Sequence, residues 1–249
     1  MNRTMTEKAR EIASVTLEGL TRGNGAPFMH HVQAVASIVE KEIGLSREAV
    51  TTVYLHEASR KHPELFPEID RLFGAEIGQM VLGLNRISTI NPKDTRLQAD
   101  NYRKLIISYS ADPRVTLIKL ADRLEVMRSL NDCFPKNDHI KKATETMMLY
   151  APLAHQLGLY GIKSELEDLS FRILQPEDYR LITNNLRATE IERKSQIARF
   201  VKPLESELRK AGLQYELKSR TKTTYSIWRK MQVQQVGVDE VYDILAIRF

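Results

Sequence analysis

Histidine and acidic residues at several places in the chain could bind a divalent cation. Asp122 lies within Thr116–Arg128, where apolar residues recur every three or four positions and predict an amphipathic helix. A carboxylate in an apolar stripe is costly unless a cation or a metal ion neutralises it, so Asp122 needs a partner. Two interpretations stay open here: an ion pair with the neighbouring Lys119 or Arg123, or ligation of a metal ion.

Two earlier segments place histidine beside apolar residues and supply further donors. They are Met29-His30-His31 and Leu55-His56-Glu57. Two imidazoles and two carboxylates on separate helices would make a mixed donor set for a divalent cation, and together they resemble the scattered ligands of a helical HD-type metal phosphohydrolase. The alternative is that both histidines are buried core residues that are hydrogen-bonded within the protein. The predicted ligands are His31, His56, Glu57 and Asp122.

Helices must position these donors, and the apolar pattern predicts helices through most of the chain. The donors fall on three of them, which start near residues 31, 46 and 113. Further helices are predicted around them, including one over 95–110 and long ones over 139–157 and 190–211, while 21–27 and 88–94 are predicted loops. After Gly212 the pattern changes and predicts strands over 214–219 and 241–249, with a helix between them.

Composition excludes several classes of protein. The chain has 249 residues, a net charge of +5 and a single cysteine, Cys133. One cysteine allows neither an internal disulfide nor a thiolate metal cluster. No apolar run approaches the roughly 20 residues that cross a bilayer, and the first residues lack the apolar core of a signal peptide. We therefore expect a cytoplasmic protein with no membrane partner, whose modest positive charge suits nucleotides, phosphates or RNA.

Five parts of the sequence, in order along the chain, resemble the long RelA/SpoT-type enzymes that make and degrade the alarmones ppGpp and pppGpp. The first three contain the predicted ligands, and the fourth resembles the family's connecting helices. The fifth resembles the opening of its synthetase domain. Together they span nearly the whole chain: Gly25–His31, Leu55–Glu57, Lys119–Leu124, Tyr150–Gly158 with Lys163–Asp168, and Ser219–Lys222 with Tyr225–Lys230 and Tyr242–Arg248.

The resemblance implies a mainly α fold in three parts. Residues 1–174 would form a helical HD-type hydrolase-like domain that includes the connecting helices. Residues 175–199 would be linker helices. Residues 200–249 would be the truncated start of an α/β nucleotidyltransferase-like synthetase domain.

The resemblance also implies roles for particular residues in the hydrolase half. A manganese ion held by the four predicted ligands would activate water against the 3′-pyrophosphate of the alarmone. Arg22, in the loop before the first histidine, would contact the nucleotide. The substrates and partners implied are guanine nucleotides.

In the synthetase half, the resemblance implies that cationic and hydroxyl side chains hold the phosphates of ATP. Asp243 would bind the magnesium ion needed to transfer pyrophosphate to the 3′-hydroxyl of GTP or GDP. Without the resemblance, the basic segment 220–230 could also be a solvated face or an RNA-binding strip. The residues assigned to the ATP phosphates are Arg220, Lys222, Ser226 and Lys230.

Three departures from the family pattern fall on the hydrolase site. Glu57 stands where the family has aspartate, which displaces the carboxylate by roughly a bond length. Arg60-Lys61 replaces an acidic pair that helps to position the water, and Glu125-Val126 replaces a His-Asn pair that contacts the nucleotide. We therefore expect a degenerate site in which manganese binding is weak or absent and hydrolysis is lost or badly impaired.

The chain ends at Phe249 within an apolar run that predicts a strand, so we expect a piece of a longer protein. The main hypothesis is the N-terminal part of a long alarmone enzyme whose working activity is synthesis, in which the hydrolase-like domain is a regulatory pseudo-enzyme that influences the neighbouring synthetase. Its expected partners are the synthetase and regulatory domains of the parent, whose further domains could bind the ribosome. Two rivals stay open. One is an active manganese-dependent (p)ppGpp 3′-pyrophosphohydrolase, and the other is a non-catalytic module that binds RNA or a partner.

Overall fold

The computed structural model describes residues 4–89, 107 and 112–249, and it is mainly helical, as the sequence predicts. Contacts divide the chain into two compact units, with the boundary between Ser170 and Phe171. The three-part division at residues 174 and 199 remains a prediction. The predicted helix over 95–110 lies largely outside the described residues. The predicted loop over 88–94 also lies largely outside the described residues. Its first two residues belong to a helix that ends at Thr89.

The described part of the first unit consists of helices and the turns that connect them. Two helices continue into π-helical turns, α2 through Ile38–Ile43 and α8 through Thr146–Tyr150, and a 3-10 turn at Pro63–Leu65 precedes α4. The predicted long helix over 139–157 is therefore α8, its π turn and α9 in succession. The helices are α1 (Met5–Thr16), α2 (Met29–Ser37), α3 (Arg47–Lys61), α4 (Phe66–Phe73), α5 (Ala75–Thr89), α6 (Pro113–Arg128), α7 (Leu130–Cys133), α8 (Lys136–Glu145), α9 (Ala151–Gln156) and α10 (Tyr160–Leu174), whose last turn lies beyond the unit boundary.

Helix α3 is the central helix of the first unit. Every residue from Ala49 to Ser59 is buried, because α1, α2, α5 and α6 all pack against it. A helix that is covered on all sides carries its polar residues into the core along with its apolar ones. Those polar groups need hydrogen-bond partners there, and His56 and Glu57 are among them.

Helix α6 begins where the sequence predicts. The Asp112 side chain accepts a hydrogen bond from the backbone N–H of Arg114 at 2.9 Å, and Pro113 occupies the first helical position, where no N–H donor is needed. Leu117 is only partly buried, and the buried apolar residues within Thr116–Arg128 are Ile118, Leu120, Ala121, Leu124 and Met127. Contacts with α2, α3 and α5 hold this helix beside the histidines.

The second unit combines helices with a small sheet. The two strands pair antiparallel, with Lys218 opposite Arg248 and Thr221 opposite Leu245. Each strand is shorter than predicted, because only the residues that pair across the ladder become strand. The elements are α11 (Pro176–Ala188), α12 (Glu190–Lys210), β1 (Lys218–Thr221), α13 (Thr224–Gln234), a 3-10 turn at Val238–Glu240, and β2 (Leu245–Arg248).

An aromatic cluster forms part of the core of the second unit. Phe171 is 1% exposed, and its ring centroid lies 6.0 Å from that of Tyr179, 5.7 Å from Tyr225 and 5.1 Å from Trp228. The Trp228 indole N–H donates to Asp178 at 2.8 Å, so the one polar atom of that ring is satisfied. Across the described ranges of both units, no helix has the length and apolar character needed to span a bilayer.

Candidate metal centre

The four predicted ligands come together between α2, α3 and α6. His31 lies on α2, His56 and Glu57 on α3, and Asp122 on α6, and all four line one narrow gap in the first unit. His31 Nε2 is 3.3 Å from Asp122 Oδ1, and His56 Nε2 is 3.5 Å from Glu57 Oε1. Each histidine therefore directs its Nε2 atom to a carboxylate oxygen.

The other ring nitrogen of each histidine is held by an acceptor outside these four residues. His31 Nδ1 is hydrogen-bonded to Glu125 Oε2, and His56 Nδ1 lies 3.0 Å from the side-chain oxygen of Asn85. Metal-binding histidines usually donate one ring N–H to a carboxylate or carbonyl oxygen, which orients the other nitrogen toward the ion. Asn85 is not among the residues predicted from the sequence, and Glu125 was expected only to remove a nucleotide contact.

Two cationic side chains lie against the carboxylates of the site. Lys119 Nζ is 2.5 Å from Asp122 Oδ2, which confirms the ion pair considered for Asp122. Arg60 donates to Glu57 Oε2 from Nε at 3.1 Å and from Nη2 at 2.6 Å. Each carboxylate thus has one oxygen near a histidine and the other near a cation.

The donor types fit a divalent cation, because the site offers two imidazoles and two carboxylates. Among the described residues, however, no three such donors converge closely enough to hold an ion as they stand. Lys119 and Arg60 also occupy one oxygen of each carboxylate. Coordination of one ion by all four side chains therefore requires some of them to shift.

The surroundings move the pKa values of the two histidines in opposite directions. Burial alone would lower the pKa of His31, but the hydrogen bonds and charges of Asp122 and Glu125 outweigh burial and raise the pKa to about 9. Burial dominates at His56, where Glu57 compensates only in part, and the pKa falls to about 4. A metal ion at Nε2 of His31 would therefore have to replace a proton.

Asp122 remains ionised in this arrangement. Burial favours the neutral acid, but Lys119 and His31 outweigh that effect and hold the pKa of Asp122 well below its usual range. The carboxylate is thus available in the charged form that a metal ion needs.

Arg22 lies beside the site, and its guanidinium is bonded within the protein. Nη1 donates to Glu125 Oε1 at 2.6 Å, while Nη2 donates to Glu125 Oε2 at 3.2 Å and to Ser129 Oγ at 2.6 Å. Only 10% of the Arg22 side chain is exposed. Its role as a nucleotide contact therefore stays a prediction.

The loop that carries Arg22 packs closely on α7. A bridge between Thr21 and Pro27 closes the loop. A Cβ atom added at Gly23 would lie 2.3 Å from the carbonyl oxygen of Cys133. Only glycine allows this approach of two backbones, so the position of the loop depends on it.

A cavity of about 420 Å³ opens beside the predicted ligands. The rings of Phe28 and Phe134 line it, and the Lys142 ammonium lies 4.5 Å from the centroid of the Phe134 ring. Cations and aromatic surface next to a cluster of metal-type donors suit a ligand that carries phosphate groups and a base. The cationic residues on the wall are Arg22, Arg60, Lys119 and Lys142.

The residues predicted to bind ATP lie in the second unit. Lys222 and Lys230 both bind Asp243 Oδ2, and these two hydrogen bonds lower the pKa of Asp243 to about 2. Ser226 is on α13, the helix that carries Lys230, and Arg220 is on β1. The structure thus brings Lys222, Lys230 and Asp243 into one cluster.

The match to known protein families covers residues 9–160, which fit the HD domain. The chain belongs to the HD-domain family. The matched range includes α2, α3 and α6 and therefore all four predicted ligands.

Curated relatives of this HD-domain protein belong to the RelA/SpoT family, which confirms the resemblance found in the sequence. The guanosine-3′,5′-bis(diphosphate) 3′-pyrophosphohydrolase of Aquifex aeolicus (strain VF5) is 36% identical over 243 residues, which is 97% of this chain and 34% of the relative. The bifunctional (p)ppGpp synthase/hydrolase SpoT of Escherichia coli (strain K12) is 36% identical over 232 residues, covering 93% of this chain and 33% of the relative. The GTP pyrophosphokinase of Myxococcus xanthus is 35% identical over 246 residues, covering 97% of this chain and 32% of the relative.

This chain therefore spans about a third of the length of the curated relatives that it matches. Among solved structures, a metazoan orthologue of SpoT, described as a protein that hydrolyses ppGpp, matches with a TM-score of 0.51. The match covers 69% of this chain and 96% of the orthologue at 21% identity. At that identity the comparison shows a shared helical fold.

Proposed function

We propose that this protein hydrolyses the 3′-pyrophosphate of guanosine 3′,5′-bis(diphosphate) with a divalent cation, manganese being the first candidate. The observation that carries the proposal is the orientation of His31 and His56. Each has its Nδ1 atom on a protein acceptor and its Nε2 atom beside a carboxylate oxygen. Because this chain spans a third of its relatives, the proposal concerns the HD domain and not the whole of a longer protein.

The names of the relatives favour this activity over the degenerate, regulatory domain expected from the sequence. Several of them are 3′-pyrophosphohydrolases or SpoT proteins. Others are named GTP pyrophosphokinase, so a synthetic activity in a longer parent also stays a proposal. The degenerate role expected for this domain gains no support from these names.

Each of the three departures from the family pattern includes a residue with a local partner in the structure. Arg60 holds Glu57 Oε2, which leaves Oε1 of the longer side chain beside His56. Glu125 bonds to His31 and to Arg22, so the residue that replaces the family's histidine contacts the site directly. These contacts support a working site in which the residues that depart from the family pattern have acquired new roles.

The chemistry that a bound cation supplies is a water molecule of lowered pKa and withdrawal of charge from a phosphoryl oxygen. The residues that would hold it are His31, His56, Glu57 and Asp122. Arg60 and Lys142, on the wall of the cavity, would bind the diphosphate groups of the nucleotide and orient them. The packing of α3 on all sides keeps bulk water from the inner face of the site.

The test is to incubate the protein with ppGpp and Mn²⁺ and to follow GDP by ion-exchange chromatography. We expect GDP over many turnovers, and we expect both a chelator and the substitution Asp122→Ala to abolish it. Asp132→Ala, at an exposed aspartate just beyond α6, is the matched control and should retain activity. GDP at the level of the buffer control, from folded protein supplied with Mn²⁺, would reject the proposal.

A second candidate function is a regulatory domain that binds guanine nucleotides without hydrolysing them. The ion pairs of Lys119 with Asp122 and of Arg60 with Glu57 favour it, because they neutralise both carboxylates without a metal ion. Calorimetric titration with ppGpp separates the two functions. Binding that is unaffected by Mn²⁺, together with no release of GDP, would support the regulatory function.

We propose that the second unit contributes residues to a site that binds ATP together with Mg²⁺. The proximity of Lys222, Lys230 and Asp243 supports it, because clustered cations suit phosphoryl oxygens and a carboxylate suits magnesium. Titration of the protein with ATP and Mg²⁺ tests this assignment, and Asp243→Ala should weaken binding. Contacts with further domains of a longer parent and with the ribosome remain predictions from the resemblance.

A further inference from the structure

We infer that Glu125 is a positioning residue of the metal centre, which holds the His31 ring so that Nε2 faces the ligand cluster. This inference rests on the proposed function, because a positioning role needs a metal centre to serve. Glu125 is 5% exposed and lies on α6, one helical turn beyond Asp122.

Asp122 and Glu125 hold opposite sides of the same imidazole. Side chains three residues apart on a helix share one face, so both carboxylates can reach His31 across from α2. Asp122 Oδ1 lies 3.3 Å from Nε2, and Glu125 Oε2 is hydrogen-bonded to Nδ1. The Phe28 ring packs against the imidazole, with 5.2 Å between the ring centroids. Rotation of the His31 side chain would break the bond to Glu125 and open this packing.

Glu125 is itself held in place by Arg22. The guanidinium donates to both carboxylate oxygens, at 2.6 Å and 3.2 Å, and a two-point contact of this kind fixes the orientation of the carboxylate as well as its position. Ser129, in the next turn of the chain, accepts a further hydrogen bond from Arg22 at 2.6 Å. A continuous series of hydrogen bonds therefore runs from Ser129 through Arg22 and Glu125 to His31.

The competing explanation is that Glu125 serves only to neutralise Arg22 in the core. In that case its removal would lower stability but would leave the His31 ring and the affinity for metal unchanged. The two explanations differ in what they predict for Mn²⁺ binding and for the nitrogen resonances of His31.

The first measurement is Mn²⁺ affinity, followed by the electron paramagnetic resonance signal of free Mn²⁺. Loss of an outer partner of a metal-binding histidine typically costs about 10- to 100-fold in affinity, so we expect Glu125→Ala to weaken binding by that factor. Glu125→Gln keeps an oxygen acceptor for Nδ1–H of His31 and should therefore lose less of the affinity for Mn²⁺. Glu165→Gln is the control, because it removes a carboxylate that pairs with Arg128 on α6 outside the cavity, and it should bind Mn²⁺ like the wild type.

The second measurement needs no metal. Long-range ¹⁵N–¹H correlation spectra of the metal-free protein report the hydrogen bonding of each imidazole nitrogen. Glu125→Ala and Glu125→Gln should both shift the Nδ1 resonance of His31 and leave that of His56 in place. Glu165→Gln should move neither resonance.

The outcomes separate this inference from the proposed function. Wild-type Mn²⁺ affinity in folded Glu125→Ala, or an unchanged His31 spectrum in both variants, would overturn the inference and leave the proposed hydrolysis intact. Failure of the wild-type protein to bind Mn²⁺ would overturn both. If Glu125→Ala does not fold, Glu125→Gln carries the same test with a smaller expected loss.

Discussion

Asp122 in the first unit and Asp243 in the second unit have similar neighbours and different surroundings. Asp122 lies between His31 and Lys119, and Asp243 lies between Lys222 and Lys230. The pKa is lowered in both, because nearby cations favour the charged form. The difference is exposure: 22% of the Asp122 side chain is exposed, against 51% for Asp243.

The same charge pattern has different consequences in a buried and in an exposed setting. Packed helices hold the partners of Asp122 and keep most of the water away, so the loss of one charge leaves the others in the core without compensation. Around Asp243, water replaces whatever a substitution removes. Loss of a single charge is therefore costly in the first site, while the second site can rearrange after such a loss.

The largest effect that we expect is on stability. Asp122→Ala should lower the free energy of unfolding of the metal-free protein by about 3 kcal/mol, the low end for a buried pair because part of the side chain is exposed. Asp243→Ala should shift the unfolding midpoint far less, because the ion pairs that it removes are exposed to water. Urea unfolding followed by circular dichroism measures both, and equal shifts in the two variants would remove the distinction between the sites.

The next effect concerns the loop that carries Arg22. Gly23→Ala should cost about 1–3 kcal/mol, because the new methyl group would lie 2.3 Å from the Cys133 carbonyl oxygen and two backbones would have to separate. Gly161→Ala is the control, since Gly161 is exposed on α10 and a Cβ there meets no atom within 4 Å. It should be neutral or raise stability by about 0.5–1 kcal/mol. Thermal unfolding measures the stability of both variants. Unchanged stability in Gly23→Ala would show that the loop is free to move.

A smaller effect is expected at the exposed edge of the first site. Arg60 is 44% exposed, and its ion pair with Glu57 must be disturbed when Glu57 turns to a metal ion. Arg60→Ala should therefore tighten Mn²⁺ binding by up to about fivefold, which corresponds to the roughly 1 kcal/mol upper range of exposed ion pairs. Arg71→Ala, which removes a similar i,i+3 pair with Glu68 on α4, is the control. Weaker binding in Arg60→Ala would mean instead that Arg60 positions Glu57 for the ion.

The smallest effect is the pH dependence at Asp243. Its pKa of about 2 lies below that of a free aspartate, because Lys222 and Lys230 hydrogen-bond to the charged form. Its contribution to stability should be complete above about pH 4 and lost as the pH falls through about 2. A ¹³C NMR titration of the Asp243 carboxyl group should show the pKa rising toward the ordinary value in Lys230→Ala. An unchanged pKa of Asp243 in that variant would show that Lys230 does not stabilise the charged carboxylate.

Much of the first site could be predicted from residue types and spacing. Apolar residues at helical spacing identified the helices of His31, His56 and Asp122, because a buried face leaves a period of 3.6 in the sequence. The four predicted ligands lie together in the structure, and the ion pair between Lys119 and Asp122 needed only a separation of three residues on one helix.

Other parts of the site left no such signal. Asn85 lies on α5, far along the chain from His56, and nothing in its neighbourhood marks it as a partner of an imidazole. Glu125 stood out only as a departure from a family pattern, which suggested a loss and not a new bond. The short strands β1 and β2 also differ from the predicted ranges, since the register of a ladder depends on both strands at once.

Donor types and helical periodicity are local properties, so they are enough to identify which residues can form the site and that these residues lie on helices. Packing of the helices is needed to know which oxygen of each carboxylate faces a histidine, which faces a cation, and which residues hold the Nδ1 atoms. These pairings join α2 to α6 and α3 to α5 across long stretches of chain. They depend on how buried side chains share a limited number of hydrogen-bond partners, and that allocation is made only when the helices pack.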